Sequence, residues 1–211
     1  MRVITAEQGS PEWLQARCGN LTASCFSDLM SKTKSGPSTS RKNLITKLAI
    51  ERITGTPSES YCNDAMRRGT ELEPFARAAY EFSQLVLVEE VGFALHPVLD
   101  YVGASVDGMV GDNGLVEIKC PSAQGKHADA LRFGAHADEY RWQIQGQLWI
   151  SGREWCDAAS YDPRFPDGLQ LAIKRVFRDE PAITELEREC ISANIEINEL
   201  VEEFKNLRIA A

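Results

Sequence analysis

A chain of 211 residues, 43% hydrophobic and 26% charged, has the composition of an ordinary globular domain and the length to bury a sizeable core. This excludes a wholly disordered chain, a collagen-like repeat and a disulfide miniprotein, and no apolar run approaches the roughly 18 residues of a membrane span. The net charge of −8 speaks against a nucleic-acid partner until its distribution is read. Arg17, Lys32, Lys34, Arg41, Lys42, Lys47 and Arg52 stand against Asp28 and Glu51, about +5 over residues 17–52, whereas residues 179–203 carry about −8. Such a split suits a protein that concentrates positive potential on one surface, with the acidic tail facing outward. Solvated helix faces explain the same runs equally well.

The cysteines at 18, 25, 62, 120, 156 and 190 form no C-x-x-C pair, so neither a zinc ribbon nor a disulfide framework is signalled. The N-terminus, Met1 to Glu7, lacks the apolar stretch of a signal peptide. A cytoplasmic protein with reduced thiols is expected.

In chain order, Ser10-Pro11-Glu12 reads as an N-cap, an N1 proline and an acidic first turn, predicting a helix to Arg17 that Gly19 ends. Thr22-Ala23-Ser24 opens a second helix through residue 30. Residues 31–40 are a polar loop, and Ser40 caps a helix to residue 53 that Gly55 closes. A helix over 63–82 carries Pro74 as a kink. Residues 85–95 read as a strand. Residues 101–110 and 115–120 form a hairpin about Gly111-Asp112-Asn113-Gly114. A helix over 138–151 precedes strands at 155–161 and 169–177. The last helix, 182–207, has apolar residues at 183, 186, 190, 193, 197, 200, 204 and 207, a one-sided stripe expected to dock on its own domain. The pattern predicts one α/β domain with a central mixed sheet flanked by helices. Its parts are a helical segment (1–60), a core (61–178) and an acidic helix (179–211).

The chemistry concentrates in Ser105-Val106-Asp107-Gly108 and Val116-Glu117-Ile118-Lys119-Cys120. Residues two apart on a strand share a face, so Glu117 and Lys119 point one way while Val116 and Ile118 point into the core. Asp107 lies close across the hairpin. Two carboxylates and a lysine on one polar face suit metal-assisted phosphodiester hydrolysis: hard oxygens hold Mg2+, and the lysine orients or deprotonates the attacking water. A cross-strand salt bridge is the plain alternative. A second Glu-x-Lys, Glu203-Phe204-Lys205, falls on a helix, where its two charges point apart. Glu73 on the 63–82 helix offers a third carboxylate, or only an exposed charge. Gln143, Gly146 and Gln147 share one side of a helix, where a glutamine can hold a water or a phosphate.

Asp…Glu-x-Lys on a hairpin, after Gly69-Thr70-Glu71-Leu72-Glu73 and before Gln143-Ile144-Gln145, is similar to the PD-(D/E)xK nuclease superfamily. The likeness is closer to the lambda-exonuclease and YqaJ-type viral recombinase family. Trp13-Leu14-Gln15-Ala16-Arg17, Leu21-Thr22-Ala23-Ser24 and Tyr161-Asp162-Pro163-Arg164 also resemble motifs of that family, and the ordered matches span nearly the whole chain. The resemblance implies a restriction-endonuclease-like core and metals held by Asp107, Glu117 and the Ile118 carbonyl, with Glu73 assisting. It gives Lys119 and Gln143 to the nucleophilic water and a terminal phosphate to Arg17, Thr22 and Ser24. Lys34 and Met66 fall at the duplex fork. Arg17 offers a planar fork for phosphate, and Ser24 sits in a helix's first turn, where free N–H groups favour an anion. A surface pair for Arg17 and a cap for Ser24 would account for the same residues. The loop from Ala123 to Asp138 departs from the family pattern.

The resemblance further implies processive 5′-to-3′ digestion of one strand of duplex DNA, releasing mononucleotides and leaving a 3′ tail for a single-strand annealing protein. It implies a ring of three subunits and a phage or prophage protein working in a bacterial cytoplasm. Mg2+ is the expected cofactor; Mn2+ should substitute, and Ca2+ should support binding without cleavage. The dispersed cysteines speak against an iron–sulfur cluster. Two rivals stand beside this reading: a restriction-type endonuclease with the same site, and a non-enzymatic DNA-binding module whose carboxylates are structural. Of the histidines, His96 before Pro97 reads as structural, and His127 and His136 have no assigned role.

Overall fold

A computed structural model of the chain describes residues 1–34, 36–58 and 64–209. Strand β1 (Arg2–Ile4) leads to helix α1 (Pro11–Arg17), which starts on the predicted signals. The Ser10 hydroxyl accepts from the Trp13 N–H, and Pro11 fills the first turn, where its missing donor costs nothing.

Residues 21–30 depart from the predicted single helix. Leu21–Thr22 is strand β2, residues 23–25 make one 3-10 turn, and helix α2 (Phe26–Met30) follows. Parallel pairing of Leu21 and Thr22 with Val102 and Gly103 overrides the local helix signal. The 31–40 stretch is also more ordered than a loop. Strands β3 (Lys32–Thr33) and β4 (Gly36–Pro37) form a small hairpin; Ser35 lies outside the described residues. Ser38, not Ser40, caps helix α3 (Thr39–Thr54) by accepting from the Arg41 N–H, and Gly55 closes it in the left-handed conformation. Helix α4 (Asp64–Gln84) contains Pro74; its predicted start at residue 63 lies outside the described residues.

The predicted strand at 85–95 is two strands, β5 (Val88–Glu89) and β6 (Phe93–Leu95), and the one at 101–110 is β7 (Val102–Ser105) and β8 (Gly108–Val110). In each case the chain changes sheets mid-run. Strand β9 (Gly114–Lys119) closes the predicted hairpin with β8. An unpredicted helix α5 (Gln124–Phe133) follows. The helix expected at 138–151 is α6 (Ala135–Glu139) and α7 (Arg141–Ser151), jointed at Tyr140. Strands β10 (Trp155–Tyr161) and β11 (Leu171–Phe177) and helix α8 (Glu180–Ile209) complete the chain.

The fold is α/β with mixed sheets flanked by helices. The strands divide between a four-stranded sheet, β1-β6-β7-β2, and a five-stranded one, β11-β10-β9-β8-β5. The seam between them is Val106-Asp107. Strand β9 is buried on both faces. Val116 and Ile118 pack with Ala76 and Tyr80 of α4, while Leu115 packs with Ile144 and Leu148 of α7. Glu117 therefore lies beneath α7 with no exposure, rather than on an open polar face.

The apolar stripe of α8 docks as expected through Ile183, Leu186, Cys190, Ala193 and Ile197, sharing a core with Leu44, Ile45 and Leu48 of α3. Leu207, at the end of the stripe, is exposed. This packing corrects the picture of bases on one surface and acids facing outward. Arg41 holds Glu196 through two bonds (2.7 and 2.8 Å), and Lys32 reaches Glu189 (3.1 Å) and Glu185 (3.5 Å). An amphipathic helix docked by its stripe carries its flanking charges to its neighbour, so the acidic and basic stretches neutralise each other in part. Cys18, Cys25, Cys120, Cys156 and Cys190 are free thiols, and Cys62 lies outside the described residues. Among the described residues no helix is long and apolar enough to cross a membrane.

Candidate active site

The predicted constellation assembles at the C-terminal end of β9. A cavity of about 550 Å³ is lined there by Glu73, Asp107, Ile118 and Lys119, with Met66, His136 and Tyr140 among its other walls. Asp107 stands in the two-residue passage between β7 and β8. Its carboxylate accepts from the Ile118 N–H (2.7 Å), which ties it to the strand carrying the other two groups.

Glu117 is held on both oxygens. Gln143 donates to Oε1 and Gln147 to Oε2, each at 2.6 Å, and Lys119 donates to Oε1. The two glutamines lie one helical turn apart on α7, directly over the strand. Burial pushes the Asp107 carboxyl well above its usual range, and the neighbouring Glu117 and Glu73 add to the shift. Glu73 is also raised, first by burial; Arg77, which donates to it at 2.8 Å, pulls the other way. Burial alone would lower Lys119, but Glu117 and Asp107 outweigh it and hold the amine protonated. Lys119 thus enters the site as an ammonium ion-paired with Glu117. Its Nζ also lies 4.8 Å from the Tyr140 ring centre.

This donor set fits a hard divalent cation. Two crowded carboxylates, one of them raised by the other, gain most from a positive charge, and all the ligating atoms are oxygen. Among the described residues no group of three or more His, Cys, Asp or Glu side chains is placed to hold a metal. Glu73 lines the same cavity wall, where Arg77 holds its carboxylate. Two carboxylates and a carbonyl, that of Ile118, match the habit of Mg2+, which keeps several waters.

The residues expected at a phosphate also come together. Arg17 donates to Ser24 Oγ and Ser105 Oγ, each at 3.0 Å, and reaches Thr22 Oγ1 at 3.5 Å. Its guanidinium lies 4.2 Å from the Trp13 ring centre. Ser24 lies on the three-residue 3-10 turn, so the helix-terminus part of its expected role falls away; the hydroxyl remains. Met66 lines the main cavity, whereas Lys34 is exposed at the β3–β4 turn and outside the cavity wall.

The Tyr161-Asp162-Pro163-Arg164 motif braces the loop after Lys119. Buried Asp162 accepts from Arg164 (2.6 and 2.8 Å), and Arg164 and Arg68 cap the carbonyls of Cys120, Pro121 and Ser122. His96 is structural: its Nδ1 accepts from the Val98 and Leu99 N–H groups. His127 is buried between Ser160 and the Leu169 carbonyl. His136 and Tyr140 were not assigned from sequence, and Gln147 was placed beside Gln143 on one helix side without being tied to Glu117. His136 lines the cavity, and burial first, then Lys119, lowers its pKa to about 4. For Gln147 the four-residue spacing from Gln143 was the signal, and the structure adds its partner, Glu117. For His136 and Tyr140 there was none, because the α6–α7 joint that delivers them was read as one helix.

The YqaJ-like viral recombinase domain family matches residues 12–154. Among solved structures the fold is similar to LHK-Exo in complex with dAMP: 42% identity, TM-score 0.88, covering 95% of this chain and 99% of that one. A second crystal structure, of the alkaline exonuclease LHK-Exo from Laribacter hongkongensis, gives 41% identity and a TM-score of 0.87, with the same coverage. A phage-related exonuclease from Haemophilus somnus 129PT shares the fold at 14% identity and a TM-score of 0.73, covering 88% of this chain and 96% of that one. No curated protein sequence matches the chain. With the family's domain spanning more than half of its length, this chain belongs to the YqaJ-like viral recombinase family.

Proposed function

We propose that this chain is a Mg2+-dependent exodeoxyribonuclease that digests one strand of duplex DNA from its 5′ end, releases mononucleotides and leaves a 3′ single-stranded tail. Membership of the family and its exonuclease relatives support the nuclease part. The observation that carries it is the Asp107–Glu117–Lys119 group, of which Asp107 and Lys119 line the cavity and Glu117 is buried behind them, with the Arg17 hydroxyl cluster joined to it through Ser105 and Gln147. Bound to Asp107, Glu117 and the Ile118 carbonyl, the cation would polarise the phosphate and acidify a water.

The chain's own residues do the rest. Gln143 and Gln147 fix the Glu117 carboxylate, and the Lys119 ammonium orients the attacking water and offsets charge that develops on the phosphate. The water oxygen bonds to phosphorus as the P–O3′ bond breaks. The 3′ oxygen of the departing nucleotide leaves with a proton. The shortened strand keeps a new 5′-phosphate, which Arg17, Thr22 and Ser24 receive for the next cycle. A ring of three copies would keep the duplex threaded, which phosphate contacts of one small subunit would not. A single-strand annealing protein would take the 3′ tail.

The test is a digest of linear and closed circular duplex with Mg2+, Mn2+, Ca2+ or EDTA. Linear DNA should yield mononucleotides with Mg2+ or Mn2+ only, Ca2+ should support binding alone, and circles should survive. A 5′-phosphate end should be cut faster than a 5′-hydroxyl end by about 1.5–3 kcal/mol, the worth of a charge-assisted contact, and Arg17→Ala should narrow the gap. Cut circles would move the reading to an endonuclease, and EDTA-resistant or absent hydrolysis would end it. Sedimentation of a processive monomer would remove the ring.

A further inference from the structure

The phosphate cluster and the carboxylate pair stand on different sheets. Thr22 and Ser105 end strands of the four-stranded sheet, while Glu117 and Lys119 belong to the five-stranded one. One buried side chain spans the seam. Gln147 donates from Nε2 both to Glu117 Oε2 (2.6 Å) and to the Ser105 carbonyl (3.1 Å). The hydroxyl of that same Ser105 accepts from Arg17 (3.0 Å) and from the Trp13 indole N–H (2.9 Å). A continuous path thus runs from Arg17 through Ser105 and Gln147 to Glu117.

We propose that Gln147 is a positioning residue that sets the distance between the 5′-phosphate anchor and the hydrolytic carboxylates, and so the one-nucleotide register of each cut. The proposal rests on the exonuclease reading above. Three features separate this role from packing. Gln147 has no exposure and both its amide hydrogens are engaged, yet its Oε1 is buried without a partner. A residue selected for volume alone would be Leu or Met, with no orphaned oxygen. Gln143, one turn away, makes its side-chain hydrogen bond among the described residues to Glu117, without crossing the seam. Gly146, next to Gln147, lets α7 press on the anchor side: a Cβ there would fall 2.4 Å from the Phe26 ring. Helix α7 is thus clamped to both halves, and Gln147 is its polar contact with each.

The experiment uses the full chain on duplexes carrying a 5′-phosphate or a 5′-hydroxyl, with the first nucleotides labelled. Wild type should release mononucleotides and prefer the phosphate. Gln147→Met, which keeps volume without donors, should cut at least roughly tenfold more slowly at saturating DNA. It should also release dinucleotides among its products, and its phosphate preference should fall toward one. Gln147→Asn, too short to reach both acceptors, should do the same and stands in if the methionine variant does not fold. Gln143→Met should slow cutting while keeping mononucleotide products and the preference. Gln147 variants that slow both substrates equally and still release only mononucleotides would overturn the proposal. Wild type that hydrolyses neither end, or ignores the phosphate, overturns the exonuclease or anchor reading itself, and the bridge falls with it.

Discussion

The α3–α8 interface and the cleft both bury charge, and they do so in opposite ways. At the interface the Arg41 side chain, 6% exposed, meets Glu196 in a two-pronged contact that holds the Glu196 carboxyl below its usual range. In the cleft Asp107 and Glu73 are pushed upward, by burial and by their common neighbour Glu117. The chain satisfies the first set itself. It leaves the second with more negative charge than Lys119 and Arg77 can answer. Charge placed for cohesion and charge placed for chemistry are thus told apart by which way the carboxyl groups are driven.

The largest expected effect lies in the cleft. Asp107→Asn, Glu117→Gln and Lys119→Ala should each lower the hydrolytic rate by about two to four orders of magnitude, because each removes charge or positioning from the transition state. The same Asp107→Asn protein should melt at or above the wild-type temperature near neutral pH. A raised folded pKa means the native state holds the proton more tightly than the unfolded chain does. Ionising Asp107 therefore costs native stability once the pH exceeds the unfolded value, and Asn removes that cost. A thermal melt several degrees below wild type would break the contrast between the two regions.

A third burial sharpens it. His136 is neutral, driven to about 4 by burial and by the nearby lysines. Its folded pKa is depressed below the unfolded value near 6.5, so the unfolded chain binds the proton more readily. Stability is full above about pH 6.5 and should fall by up to ~3 kcal/mol as pH drops toward 4. His136→Gln should flatten that slope, as denaturant melts at pH 7, 5.5 and 4.5 would show. An unchanged slope would mean that the imidazole is hydrated and titrates as in a peptide.

Added Mg2+ should stabilise the protein by about 2.7 kcal/mol at a hundredfold excess over its dissociation constant. The gain should vanish in Asp107→Asn and Glu117→Gln and persist in Glu196→Ala. An equal gain in all four proteins would place the cation elsewhere.

Much of this was legible from residue order. The Ser10–Pro11 cap, Gly55, the Gly111–Gly114 hairpin and the α8 stripe are local signals, and the structure follows them. Asp107, Glu117 and Lys119 were found because a strand's period and a hairpin suffice to bring them together. What escaped depends on tertiary pairing. Thr22 joins a strand only because Gly103 lies beside it, and the 85–95 and 101–110 runs break because the chain changes sheets there. The second face of β9 was hidden for the same reason: nothing local says that α7 will cover Glu117. Lys32 and Arg41 read as candidates for a DNA-facing surface until α8 is seen to lie on them.

The smallest expected effects lie at that interface, and they are graded by exposure. Glu196→Ala leaves the buried Arg41, among the described residues, with the longer ion pair to Glu189 at 3.8 Å. Two charge-assisted bonds are lost, but the Glu196 side chain is 40% exposed, so water screens part of the pair. A cost of about 1–2 kcal/mol is expected. Because the Glu196 carboxyl is depressed, this contribution is present above the unfolded carboxyl range and fades as pH falls through the folded value. The difference from wild type should therefore shrink in acid. Lys32→Ala should cost less, since Lys32 is 51% exposed and its pairs with Glu185 and Glu189 are screened by salt. Urea melts of both variants at low and high salt give the comparison, and nuclease activity per folded molecule should stay at wild type in each. A Lys32→Ala loss as large as that of Glu196→Ala would break the grading by exposure, and a fall in activity in either variant would show that these charges serve DNA as well as the docking of α8.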